Sequence, residues 1–190
     1  MIPPIPHAVS RRAALRRIVV FSGAAATWCG GCANRTHRNA PSPLKQFRPS
    51  KADSRLLEEL ERSATTLFRE AAHPETGLVL DRKRADGGLD PRTVASIAAT
   101  GFGLSVLCLA HERRYAPHAE LRSQIVRTLR WLLDRQAQEH GFFHHFFHWE
   151  TGERVWQCEL SSVDSAILFC GALHARAYFA DDAEIGRLAT

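Results

Sequence analysis

Helices that are apolar on every side alternate along this chain with helices that are apolar on one side only. Residues 94–114 and 162–179 are apolar nearly all round. Residues 117–139, which lie between them, carry apolar side chains on one face and charged side chains on the other. A helix that is apolar all round must be buried, whereas an amphipathic helix lies at a surface. The order therefore predicts an all-α fold with an inner and an outer layer of helices.

The first and last helical segments extend this pattern. Ser54 is a suitable N-cap for an amphipathic helix that runs to about Ala72, and a further helix begins near Asp182. Four helices and the start of a fifth are too few to close a double-layered ring. A ring of twelve helices with its connections needs about 350–400 residues. With 190 residues, the chain is either the N-terminal part of a longer protein or a smaller helical bundle.

A short β segment interrupts the helices. Residues 141–155 are rich in aromatic side chains, and Glu150-Thr151-Gly152-Glu153 has the composition of a turn near the centre. This pattern predicts a β-hairpin inserted between the third and fourth helices. Residues 78–81, which follow the first helix, are predicted to be extended.

The excess of basic residues is confined to the N-terminus. The chain carries 25 Lys and Arg against 20 Asp and Glu, but residues 1–45 contain seven of the basic residues and no acidic one. The remaining residues therefore have a net charge of −2. A surface that follows nucleic-acid phosphates needs clustered Lys and Arg on the folded part. We expect no nucleic-acid partner.

Residues 1–32 have the organisation of an export signal. Arg11-Arg12 and Arg16-Arg17 precede an apolar stretch of about 11 residues, which is too short to span a bilayer. This order is typical of twin-arginine signals. Cys32 follows two glycines, as the lipidated cysteine of a lipoprotein does, so we expect a periplasmic protein or one anchored to the membrane through Cys32. The alternatives are a redox or zinc pair formed with Cys29, or simple cleavage nearby.

Residues 33–52 are polar and rich in proline, which predicts a flexible tether to a domain formed by residues 53–190. Three cysteines follow the tether, namely Cys108, Cys158 and Cys170. An odd number argues against a disulfide framework in an exported protein. We expect Cys108 and Cys170 to be buried as small apolar residues.

Several motifs within residues 53–190 occur together in one known family. The most specific is Trp156-Gln157-Cys158-Glu159-Leu160-Ser161-Ser162-Val163-Asp164. The others are residues 77–82, 95–104, 141–146 and 151–153. In this order they resemble the bacterial glucoamylase-like family, which includes endo-β-1,2-glucanases and has a related domain in cyclic β-1,2-glucan synthases. The resemblance implies an incomplete (α/α)6 barrel of the six-hairpin glycosidase type, of which this chain would be the N-terminal part.

The resemblance also implies an exported glycoside hydrolase that acts on a β-glucan, with β-1,2-glucan the favoured substrate and no cofactor. Glycoside hydrolysis uses two carboxyl groups, and this fold usually holds them far enough apart for inversion. Glu159 and Asp164 are the candidates, because both can face one cavity at the start of a helix whose N-terminus stabilises negative charge. Alternatively, Asp164 only caps that helix, and the second catalytic carboxylate lies beyond residue 190.

Six further residues are candidates for binding an oligo- or polysaccharide. They are Asp81, Arg82, Phe143, His145, Trp149 and Trp156. The acidic and basic pair offers polar contacts to sugar hydroxyls, or else forms an ion pair that ties down a loop. The three aromatic residues are suited to stacking on sugar rings, or else to packing within the hairpin. The histidine is suited to donating a hydrogen bond to a hydroxyl.

The histidines between residues 140 and 148 do not predict a metal site. On a strand, His144 and His148 share a face while His145 points away, and a zinc site would need a further ligand. At His148 the sequence departs from the family, whose members usually carry Asp there. A second hypothesis for the whole chain is a non-catalytic carbohydrate-binding or structural envelope lipoprotein, or an inactive fragment.

Overall fold

The computed structural model describes residues 48–84, 86–88 and 90–190. The predicted export signal, the lipidation site Cys32 and residues 33–47 of the predicted tether lie outside the described residues. The helices are α1 (Lys51–Ala71), α2 (Ile97–Glu112), α3 (His118–Asp134), α4 (Ser162–Tyr178) and α5 (Ala183–Leu188). The strands are β1 (Val94–Ser96), β2 (Gln138–Glu139), β3 (Phe142–His144), β4 (Phe146–His148) and β5 (Leu160–Ser161). None of the helices described is both long and apolar enough to cross a membrane.

Helix α1 begins earlier than the sequence predicts. Ser50, not Ser54, is its N-cap, and the two residues 51 and 52 belong to the helix rather than to a tether. The Ser50 hydroxyl accepts a hydrogen bond from the Asp53 amide at 3.1 Å, and the Asp53 carboxylate accepts one from the Ser50 amide at 2.9 Å. This reciprocal pair is a capping box, which satisfies two amides that the helix itself leaves unpaired. Ser54 lies one turn inside the helix.

Helices α2 and α4 run parallel and touch through their backbones. In the first half of α2 and near the middle of α4, a Cβ atom on Gly171 would lie 2.1 Å from the carbonyl oxygen of Gly101. Near their C-terminal ends, the His111 ring lies 2.8 Å from the Tyr178 hydroxyl. Because glycine has no side chain, Gly101 and Gly171 allow the two helices to approach this closely.

The amphipathic helices α1 and α3 run antiparallel to α2. Arg113 at the end of α2 bonds Glu61 in the middle of α1 at 2.6 Å. Ala72, just after α1, is bridged to Val79, and the next residue, Leu80, is bridged to Ala95 of β1, which precedes α2. Similarly, His118 at the start of α3 bonds His111 near the end of α2 at 2.8 Å. Each amphipathic helix therefore returns the chain to the end at which the apolar helices begin, as an arrangement of inner and outer helices requires.

Two predicted helix boundaries are wrong because strands take their place. Residues 94–96 form β1, and Ser96 then caps α2 by accepting a hydrogen bond from the Ala99 amide at 3.3 Å. Helix α3 ends at Asp134, and residues 138–139 pair with β3. The sequences of both segments suit a helix as well as a strand, so pairing with a neighbouring strand determines which of the two forms.

The predicted hairpin is confirmed around its turn, but its first arm is divided between two sheets. Strands β3 and β4 do not pair with each other: β4 pairs with β1, while β3 lies between β2 and β5. The turn is closed by the His148 amide, which donates to the Glu153 carbonyl at 2.7 Å, and by an isolated bridge between Phe147 and Arg154. The predicted extended segment 78–81 is confirmed by its bridges to Ala72 and Ala95.

The core lies between the helices and the short strands. Phe147 on β4 is fully buried there, together with Ile97 and Leu104 of α2 and Leu121 and Ile125 of α3. Of the two cysteines predicted to be buried, Cys108 is buried and Cys170 is exposed. The prediction fails for Cys170 because this face of α4 meets solvent in the described part of the chain.

Candidate active site

His145, Glu159 and Asp164 come together where α4 begins. The His145 Nδ1 atom lies 2.9 Å from Glu159 Oε1, and its Nε2 atom lies 3.6 Å from Asp164 Oδ1. One ligand-type atom from each of the three residues lies within 4.8 Å of the others. The imidazole therefore sits between two carboxylates, one on each of its nitrogens.

His145 occupies the point at which the chain passes from one sheet to the other. Its amide donates to the Glu159 carbonyl at 3.1 Å, and its own carbonyl accepts from the Ile97 amide at 3.2 Å. These two backbone bonds tie His145 to the loop before α4 and to the first residue of α2. The backbone position of His145 relative to both helices is thus fixed.

Asp164 is fixed by the capping of α4. The Ser161 hydroxyl accepts a hydrogen bond from the Asp164 amide at 3.2 Å and donates one to the Asp164 carboxylate. The capping role considered for these residues is therefore present. It also places the Asp164 carboxylate in the first helical turn, where the helix dipole favours negative charge. Asp164 therefore both caps α4 and belongs to the cluster with His145 and Glu159.

Glu159 lies in the loop before β5, and 65% of its side chain is exposed. The pKa of Glu159 is held below its ordinary value, first by a hydrogen bond from its own backbone amide and next by the His145 ring. A hydrogen bond to the charged form favours ionisation. Glu159 is therefore a carboxylate at neutral pH, which suits a general base better than a general acid, since an acid needs a raised pKa.

Aromatic rings extend from the cluster to the surface. The Phe146 ring stacks on His145 with centroids 3.6 Å apart, and Trp156 meets Phe146 edge-on at 5.4 Å. Trp156 is 59% exposed, so its ring is accessible to a ligand. Phe143 is buried in the core, so the prediction that it stacks on a sugar is wrong. Trp149 is half-buried and its indole donates to the Ala71 carbonyl at 3.0 Å, which is a packing role.

The loop that carries Trp156 has a strained backbone. Trp156 and Gln157 both have positive φ angles, of 56° and 49°. A residue with a Cβ atom in this region costs roughly 1–2 kcal/mol. Such strain persists only where the surroundings hold it, and it is concentrated at functional sites.

Asp81 and Arg82 lie outside the cluster. Their side chains bond each other, with Arg82 Nε donating to Asp81 Oδ2 at 2.8 Å, which is the ion pair considered as the alternative to sugar binding. The bridge from Leu80 to Ala95 places them on the far side of β1 from β4. The structure therefore does not bring them into contact with His145.

The other histidines are separated by the sheets. His144 belongs to β3 and lies 3.3 Å from Glu139, whereas His148 belongs to β4 and lies 3.4 Å from Thr93. The prediction that His144 and His148 share a face fails because their strands join different sheets. At His145, each ring nitrogen faces a different carboxylate, and among the described residues this cluster has the spacing of ligand atoms that a metal ion could accept.

One residue of the site has no clear signal in the sequence. Arg154 contacts the loop before Glu159, yet nothing near it in the sequence distinguishes it from an ordinary hairpin residue. Phe146 ends one of the family motifs, but the motif does not indicate that its ring stacks on His145. The pairing of Ser161 with Asp164 is different, because a serine three residues before an acid at a helix start is a recognised capping pattern.

Solved structures of glucan-processing enzymes resemble the chain. No protein-family model and no curated protein matches it. An endo-β-1,2-glucanase from Chitinophaga pinensis, solved with sophorotriose and glucose, matches 74% of this chain with a TM-score of 0.64 and 25% identity. Candidate glucoamylases from Bacteroides uniformis and Bacteroides fragilis match 76% and 75% of it, with TM-scores of 0.61 and 0.62 and 25% identity.

The chain spans about a third of the length of these proteins, namely 35% of the first, 35% of the second and 36% of the third. The matches confirm the resemblance to glucoamylase-like proteins and endo-β-1,2-glucanases. They establish that the described part has a fold similar to that of glycoside hydrolases.

Proposed function

We propose that this chain is the N-terminal part of an exported glycoside hydrolase that cleaves β-1,2-glucan with inversion of configuration. The observation that carries the proposal is the cluster of His145, Glu159 and Asp164 at the start of α4, in a fold similar to that of an endo-β-1,2-glucanase. Export, and a lipid anchor on Cys32, are supported by the organisation of residues 1–32.

Uncovered apolar faces support an incomplete (α/α)6 barrel. One is on α1, one is on α4, and a third is a groove of about 470 Å³ between α2 and α4. The exposed apolar side chains are Leu56, Leu57 and Leu60 on α1, Phe169 and Leu173 on α4, and Phe102 and Val163 at the groove. In a closed ring, adjacent hairpins would cover the two lateral faces, and the groove would border the central cavity.

We infer from their spacing that Glu159 and Asp164 stand on one side of the scissile bond. An inverting enzyme holds its two catalytic carboxyl groups about 6.5–9.5 Å apart, with a water molecule between one of them and the sugar. The nearest oxygens of Glu159 and Asp164 lie within 4.8 Å of each other, which is too close for that pair. We therefore assign one catalytic role to this cluster and place the opposing carboxylate beyond the described residues.

Within the cluster, Glu159 is the general base. It is ionised, it is exposed to the solvent from which the attacking water comes, and His145 orients it. Glu159 removes a proton from the water as the water attacks the anomeric carbon. Asp164 holds the other side of the His145 ring. The exposed ring of Trp156 provides a surface on which a sugar can stack.

The variant Glu159→Gln tests this assignment in the full-length protein that carries the chain. Turnover, measured as release of short oligosaccharides from β-1,2-glucan, is expected to fall by about 10²- to 10⁴-fold, with no loss of helicity by circular dichroism. Glu150→Gln, which changes an exposed acid in the nearby turn, is the control and should leave turnover unchanged. Turnover close to that of the wild type in Glu159→Gln would exclude Glu159. Failure of the wild type to cleave any β-glucan would exclude the hydrolase.

A carbohydrate-binding protein without activity is the second candidate. It is favoured by the observation that the described part supplies an exposed Trp156 ring but carboxylates for only one side of the reaction. Binding of β-1,2-linked oligosaccharides without hydrolysis, weakened by Trp156→Ala, would support it.

A further inference from the structure

A single arginine holds the loop that precedes Glu159. Arg154 Nη2 donates a hydrogen bond to the backbone oxygen of Gln157 at 2.7 Å and another to the backbone oxygen of Cys158. These are the two residues immediately before Glu159 in the chain. The guanidinium therefore fills the inside of the turn formed by residues 154–158.

The turn is one that these residues would not adopt unaided. Trp156 and Gln157 are consecutive, neither is glycine, and both have left-handed backbone angles. Such a conformation persists only where the surrounding structure holds it, and here Arg154 donates to the carbonyl groups of Gln157 itself and of Cys158. The Arg154 guanidinium supplies two donors from one nitrogen, and its planar shape fixes the direction of both.

Both ends of the turn are anchored to β4, so Arg154 controls only what lies between them. The backbone of Arg154 is bridged to Phe147. At the other end, the Cys158 thiol accepts from the Phe146 amide at 3.2 Å and donates to the Phe146 carbonyl at 3.4 Å. Between these anchors the turn is closed by the Cys158 amide, which donates to the Val155 carbonyl at 3.2 Å, and the guanidinium adds its two bonds to the carbonyl groups of Gln157 and Cys158. The path of the backbone through this turn determines where Glu159 enters the cluster.

We propose that Arg154 is a positioning residue, which holds the carboxylate of Glu159 against His145 and the ring of Trp156 at the surface. The catalytic consequence rests on the function proposed for Glu159, whereas the geometric consequence does not. Without the guanidinium, the two carbonyls lose their donor and the left-handed residues relax. The loop then adopts several conformations, and only one of them has the 2.9 Å contact between Glu159 and His145.

Arg154→Met removes the guanidinium, and Arg154→Lys keeps the charge without the planar donor pair. Arg55→Met, which changes an exposed arginine on α1, is the matched control. The first readout is NMR titration of the Glu159 carboxyl and the His145 ring in specifically labelled protein. In Arg154→Met the titration midpoint of Glu159 should rise towards the ordinary 4.5, because the His145 hydrogen bond and the arginine charge both lower it. Arg55→Met should match the wild type.

The second readout is the kinetics of the full-length protein on β-1,2-glucan. Both Arg154 variants should lose about 10- to 100-fold in kcat, since a misplaced reacting group costs this much, and the acid limb of the pH profile should move upward in Arg154→Met. If Arg154→Met does not fold, the same measurements on Arg154→Lys decide. A folded variant with unchanged Glu159 titration and unchanged kcat would overturn the proposal. If Glu159→Gln retains the turnover of the wild type, only the catalytic role of Glu159 is refuted. The NMR titration of Glu159 would still test whether Arg154 positions its carboxylate.

Discussion

Replacing Gly171 by alanine tests the backbone contact on which the pairing of α2 and α4 depends. The added Cβ atom would lie 2.1 Å from the carbonyl oxygen of Gly101 and 2.9 Å from its Cα atom. Both are backbone atoms of a neighbouring helix, so no side chain can turn aside to make room. To reach an ordinary contact of 3.4 Å, the two helices must separate locally by about 1.3 Å.

Two opposing effects determine the change in stability. Inserting an atom into a well-packed contact costs about 1–3 kcal/mol, and a backbone-to-backbone contact belongs at the upper end because nothing in it can repack. Alanine in place of glycine within a helix gains about 1 kcal/mol. We therefore expect Gly171→Ala to lower the free energy of unfolding by about 2 kcal/mol. For a domain of this size, that corresponds to a fall in Tm of about 6 °C.

Gly186→Ala is the matched control. Gly186 also lies within a helix, but a Cβ atom there would meet no atom within 4 Å. It receives the gain in helix propensity without the clash, so its free energy of unfolding should rise by about 0.5–1 kcal/mol. Urea unfolding followed by circular dichroism measures both variants. If Gly171→Ala is as stable as the wild type or more stable, the close parallel crossing of α2 and α4 is not the arrangement of these helices in solution.

Two further predictions concern charged groups. Asp182 caps α5 and also bonds Arg122 at 2.6 Å, so Asp182→Ala should cost about 1–2 kcal/mol of unfolding free energy in urea, and Asp182→Asn, which keeps the cap, should cost less. Equal losses in the two variants would contradict a capping role. Since the pKa of Glu159 lies below 4.5 and the base must be ionised, kcat/KM should fall as the pH drops through that pKa. The acid limb of its pH profile should therefore have a midpoint below 4.5, and a higher midpoint would argue against Glu159 as the base.

The order of the helices could be predicted from the sequence, because burial leaves a strong pattern. Residues 97–112 and 162–178 are apolar all round, and the structure pairs these two helices. The strand pairing could not be predicted in the same way. Strands of two or three residues carry almost no periodicity, and the partners of β4 and β5 lie far apart in the sequence. The local sequence suggests the hairpin that bridges Phe147 to Arg154, but it gives no sign that β1 pairs with the other edge of β4.

The residues of the site also divide into those with a local signal in the sequence and those whose role depends on tertiary contacts. Asp164 could be predicted because its role at the start of α4 is local, and Glu159 because it lies in a motif with known relatives. The sequence makes Phe143 a candidate for sugar binding although it is buried, because alternate residues of a strand face opposite sides and the direction of the first one depends on tertiary pairing. Arg154 could not be predicted because its partners are backbone carbonyl groups, which the sequence does not distinguish from any others.

The path of the chain explains why residues so different in local structure meet at one place. Because α1 and α3 run antiparallel to α2, every return of the chain ends where an apolar helix begins. Residues 78–96 and 138–161 are therefore brought to the same end of the helix pair, and with them come a strand histidine, a loop glutamate and a helix aspartate. If further hairpins follow the same alternation, the first turns of their apolar helices will also lie at this end. A catalytic carboxylate that opposes Glu159 is then to be sought at the start of such a helix, and an acidic residue placed there should be as sensitive to substitution by its amide as Glu159.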